Sequence, residues 1–213
     1  MSISRRLPFT NSGRLVAIQK AKAKKDSTPP SGNFLTTATN DRLETLNTSY
    51  SAAYIAVNGA KAVLLQATAE KNTSKRKSFL YTRHYLDAAI KAVEREETGF
   101  PPSALAYYGL RTNNPKLPEM TTESQMLLAA NLVIEGDAQR VAAGGPAISF
   151  PDLAQVIAAR DDFQSKESAQ SNRTDSLDGA QETLNNLNAE ADAVIKKVWD
   201  EVDTFYNEET AES

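Results

Sequence analysis

From Leu43 to Ala67, the apolar residues Leu43, Leu46, Tyr50, Ala53, Val57, Ala60, Leu64 and Ala67 follow one another at alternating steps of three and four. A strand brings every second residue to one face, so this spacing is wrong for a sheet and right for a helix with a single greasy stripe. A stripe sustained over many turns needs at least one more helix to cover it. The same steps return near the end of the chain, through Leu177, Ala180, Leu184, Leu187, Ala191, Val194, Val198, Val202 and Phe205. The chain is therefore expected to be all-α.

Between these stripes the sequence reads as two similar halves. In the first, a short amphipathic helix begins near Leu15, a Pro29-Pro30-Ser31-Gly32 loop follows, and the long stripe pauses at Lys71-Asn72-Thr73-Ser74 before resuming at Phe79, Arg83, Leu86, Ile90 and Val93. In the second, a helix opens at Thr121-Thr122-Glu123-Ser124, Gly144-Gly145-Pro146 interrupts it, and another helix starts at Pro151-Asp152 and pauses over Gln170 to Thr174. Proline removes a donor and glycine frees the backbone, so both Pro/Gly segments read as loops. The two polar pauses read as hairpin turns, because a single helix from Asp41 to Glu97 would have no partner of matching length in its own half. Near the ends of the halves, Asp87-Ala-Ala-Ile-Lys-Ala-Val93 parallels Asp192-Ala-Val-Ile-Lys-Lys-Val198. The expected architecture is an internal duplication giving tandem antiparallel helical bundles of three helices each, or alternatively one merged six-helix bundle. The expected domains are residues 1–100 with a basic amino-terminal arm, a Pro/Tyr-rich junction over 101–116, and residues 117–213 with an acidic tail.

The residue inventory narrows the chemistry. There is no Cys, which excludes disulfides, thiolate metal sites and a thiol nucleophile. The single histidine, His84, has neither a nucleophile motif nor a Glu-x-x-His partner, and Trp199 beside Val198 reads as core filler. Acid clusters at Glu94-Arg95-Glu96-Glu97, Asp161-Asp162 and Asp200-Glu201-Val202-Asp203 read as solvated helix faces, and Gly144-Gly145-Pro146 lacks the spacing of a phosphate loop. The sequons at Asn47, Asn72 and Asn172 have no export signal to accompany them. No catalytic residue, cofactor or metal is expected.

What remains is surface. From Met1 to Lys25 there are seven basic residues and no acid, whereas from Val198 to Ser213 there are six acids and no base. Such ends complement each other, and copies of the chain can attract head to tail through them. The candidate interaction residues are Arg5, Arg6, Arg14, Lys20, Lys24 and Lys25 at the head, Phe100, Tyr107 and Tyr108 at the junction, and Asp200, Asp203, Glu208 and Glu209 at the tail. The expected function is a non-enzymatic structural or protein-interaction subunit, a helical spacer that associates with other copies of itself. The alternative is a nucleic-acid-associated protein that neutralises phosphates with the basic arm. No apolar run is long enough to span a membrane, and a cytoplasmic location is the default expectation.

Overall fold

A computed structural model describes residues 6–29 and 32–211, with side chains through Tyr206. Among the described residues there are five α-helices, one 3-10 helix and no strand: α1 (Asn11–Asp26), α2 (Thr37–Glu94), the 3-10 helix (Pro102–Tyr108), α3 (Glu123–Ala142), α4 (Leu153–Asn186) and α5 (Asn188–Ala211). The all-α class is as the heptad steps require.

Local chemistry sets the helix ends. The Thr10 side chain caps α1 by accepting from the Gly13 amide at 3.0 Å, and Lys24 and Lys25 complement the negative end of its dipole. A reciprocal capping box between Thr122 and Gln125 opens α3. Asp152 and Gln155 make the equivalent pair at the start of α4. Helix α2 stops at Glu94, short of the Gly99-Pro101-Pro102 signal: Glu96 takes the left-handed conformation (φ 55°), and its amide and that of Glu97 return to the carbonyls of Val93 and Ala92.

The expected hairpin at Lys71 to Ser74 is not formed; α2 runs through it. The segment contains no Gly or Pro, and its hydroxyls bond within the helix, Thr73 Oγ1 to the Ala69 carbonyl and Ser74 Oγ to the Lys71 carbonyl, both at 3.0 Å. Lys71 and Lys75 both reach Glu123 in the first turn of α3 (3.1 and 3.3 Å), a contact that requires successive helical turns. The second expected hairpin, Gln170 to Thr174, likewise lies inside an unbroken α4. The interruption comes later, at Leu187, whose amide bonds to the Leu184 carbonyl before α5 begins.

These two continuous helices reorganise the chain. Instead of sequential halves split at a 101–116 junction, it forms two compact units, Met1–Leu64 with Arg173–Ser213, and Leu65–Asn172. The repeat of three helices per half does not survive this arrangement, since the first 100 residues hold only α1 and α2. The first unit buries Ile18 of α1, Leu43, Leu46, Tyr50, Ala53 and Val57 of α2, and Ala191, Val194, Ile195 and Val198 of α5 in one core. Arg14 joins α1 to Asp192 of α5 through two hydrogen bonds of 2.8 and 2.9 Å, which raise the Arg14 pKa. The second unit has its own core, in which Tyr85, Leu86 and Ala89 of α2 meet Leu105 and Tyr108 of the 3-10 helix, Val133 of α3 and Val156 of α4.

Candidate functional site

In the second unit the most elaborate polar arrangement is closed to solvent. Asp137 and Arg140 stand one turn apart on α3, only 3% and 2% exposed. Arg140 donates to Asp137 Oδ1 from Nε (3.1 Å) and Nη2 (2.7 Å), and Nε also donates to the Tyr108 hydroxyl at 2.7 Å. That hydroxyl in turn donates to Asp137 Oδ1 at 2.7 Å. The Arg140 guanidinium lies 4.5 Å above the Phe100 ring, and the Tyr85 ring meets that of Tyr108 edge-on at 6.1 Å. Burial, and then the nearby Asp137 carboxylate, push both tyrosine hydroxyls well above their ordinary range, so neither is a base at neutral pH. Burial works against the Arg140 charge, but Asp137 and Tyr108 outweigh it and the guanidinium stays protonated. The cluster fastens the 3-10 helix to α3 and leaves no room for a substrate. Gly136 shows how tight the seam is, since a β-carbon there would lie 2.1 Å from the Tyr107 carbonyl oxygen.

Also in the second unit is an open groove of about 530 Å³. One wall is the face of α2 that carries His84, Asp87 and Lys91, with Arg95 just past the helix end; the other is the Ser149-Phe150-Pro151 segment, and Phe100 and Ile148 lie at its base. Its charges are mixed, two cations against Asp87 and Glu97. Among the described residues no three His, Asp or Glu side chains gather closely enough to hold a metal ion, and no helix is long and apolar enough to cross a membrane.

The basic head is largely tied up in ion pairs. Arg14 is held by Asp192, Lys22 by Asp26, and Lys25 by Glu44 at 2.8 Å; Arg6, Lys20 and Lys24 are exposed without an ion pair. Arg5 lies outside the described residues, as do the side chains of Glu208 and Glu209. Asp200 is exposed and Asp203 half-buried. At the junction, Phe100 and Tyr108 belong to the buried cluster, which leaves Tyr107 as the exposed aromatic of the three. Expecting all three at a surface underestimated how strongly a buried Arg–Asp pair recruits aromatic neighbours.

One surface went unnoticed in the sequence. Between Leu46 and Ala69 the only charged residue is Lys61, yet α2 turns one side of this stretch to solvent. Ile55 is 69% exposed, Val63 43% and Leu65 73%, and Ala52, Ala56, Gly59 and Ala62 are exposed among them. Leucines or valines scattered singly on a surface are ordinary, but an uncharged helix face of this length is not. The signal was present in the sequence as the scarcity of Lys and Glu opposite the heptad stripe, where a solvated helix normally carries them.

No protein-family model, curated protein or solved structure matches this chain significantly.

Proposed function

We propose that this chain is a non-enzymatic assembly subunit that works by presenting helix surfaces to protein partners, other copies of itself first among them. The observation that carries the reading is the uncharged outer face of α2 in the first unit, where Ile55 and Val63 stay in water although the helix is fully formed. Apolar area of this kind is worth about 25 cal/mol per Å² when a partner covers it. The buried polar chemistry supports the same reading, because Asp137, Arg140 and Tyr108 satisfy one another and face no cleft. A nucleic-acid role has less behind it, since Arg14, Lys22 and Lys25 of the basic head are already neutralised by acids of the chain itself. Sedimentation equilibrium over a wide concentration range tests the proposal. A mass that rises with concentration, at physiological and at raised salt, is expected; a single monomeric mass throughout overturns self-association.

A further inference from the structure

We infer that a second copy of this chain covers the outer face of α2, with the two helices antiparallel and crossing at Gly59. This rests on the assembly reading above and specifies its surface and geometry.

Gly59 lies in the interior of a long helix, where glycine is a poor choice, and a β-carbon added to it would meet nothing within 4 Å. No contact within the chain accounts for the missing side chain. What a glycine gives an exposed helix face is a place where another backbone can come close.

The residues around it are arranged by reflection. Ile55 stands four before Gly59 and Val63 four after; Ala56 stands three before and Ala62 three after. Steps of three and four put all of them on the face of Gly59. In a two-fold antiparallel pair centred on Gly59, a residue at a given distance before the centre on one copy comes level with the residue at the same distance after it on the other. Ile55 then meets Val63 twice and Ala56 meets Ala62 twice, large against large and small against small. A different protein would need no such reflection; a second copy does.

Charge agrees with this choice. Lys61 is two residues from Gly59, which turns it to the opposite side of the helix, so the pairing buries no charge. Farther out, Asp41 and Lys77 stand equally spaced on either side of Gly59, both exposed and neither in an ion pair. Antiparallel pairing sets Asp41 of one copy level with Lys77 of the other, whereas parallel pairing would set like charges together. A few turns of helix bury less than a standard interface of about 1,600 Å², so the dimer is expected to be concentration-dependent.

The absence of cysteine makes the geometry directly testable in the full-length chain. Gly59→Cys puts one thiol at the two-fold centre, where the added atoms have open space. On mild oxidation it is expected to give a covalent dimer on a non-reducing gel at least tenfold faster than Lys61→Cys, whose thiol faces away. Ile55→Glu should raise the dimer dissociation constant at least tenfold in sedimentation equilibrium, with the far-UV circular dichroism and melting temperature of the monomer retained. If the wild-type chain associates but Lys61→Cys cross-links as fast as Gly59→Cys, or Ile55→Glu leaves association unchanged, the pairing is wrong and the broader assembly reading stands. If the wild-type chain stays monomeric at every concentration, both fail.

Discussion

Arg140 is the residue whose loss the fold can least absorb. Removing one partner of a buried ion pair strands the other charge, at a penalty of about 3–5 kcal/mol, whereas replacing both with apolar groups of similar size is often neutral. Arg140→Ala is therefore expected to lower unfolding free energy by that amount in urea titration. Arg140→Met combined with Asp137→Leu should lose much less than the two single changes added together. Nearby hydroxyls predict the opposite sign. Ser78 Oγ and Thr82 Oγ1 are buried on α2 without a hydrogen-bond partner, so Ser78→Ala is expected to be neutral or stabilising, by up to about 1 kcal/mol. Glu201 supplies a pH dependence. Burial raises its pKa, but hydrogen bonds from the Thr36 amide (2.8 Å), from the Thr36 and Thr39 hydroxyls and from Lys197 outweigh this and hold it below the usual carboxylate range. A carboxyl group whose pKa falls on folding contributes its stability above the unfolded value, about 4.3, and loses it as pH drops through the folded value. Glu201→Gln should thus lower stability at pH 7 by roughly 1–2 kcal/mol and flatten the acid limb of a melting-temperature profile below about pH 4.3.

At the scale of elements, most of what the sequence made legible was helical phase. The stripe through Leu43, Leu46, Tyr50, Ala53 and Val57 is buried residue for residue, and Leu184, Ala191, Val194 and Val198 hold their places in the same core. The phase was misread after Ser74, where Arg83 was placed on the seam and is in fact exposed. The residues inside are Ser74, Ser78, Thr82, Tyr85 and Ala89, and small hydroxyl side chains that tuck against their own helix look like surface to a hydrophobicity rule. Helix ends failed for a related reason. Lys71-Asn72-Thr73-Ser74 has the composition of a turn but no residue that forbids a helix, and the Glu123 contact with Lys71 and Lys75, which favours continuity, is a tertiary fact. Asn72→Pro discriminates sharply between a turn and a helix. In a hairpin loop it would be tolerated; in the exposed middle of α2 it should destabilise the chain by about 3 kcal/mol, read from chemical denaturation.

The molecule as a whole is organised by insertion, with residues 65–172 forming one compact unit between the two stretches of chain that build the other. Each unit has its own core, so damage to one core need not open the other. Leu184 of α4 is 2% exposed and packs only in the first core, although most of its helix belongs to the second unit. Truncating a buried leucine to alanine removes about 2–5 kcal/mol, depending on how far the cavity relaxes. For Leu184→Ala, native-state hydrogen exchange should therefore show faster exchange across residues 11–64 and 188–206, while amides near Tyr85, Val133 and Val156 keep their protection. Leu86→Ala, in the second core, should give the converse pattern. If either substitution accelerates both sets equally, α2 and α4 couple the cores into a single cooperative unit, and the insertion is a feature of connectivity without a counterpart in the energetics.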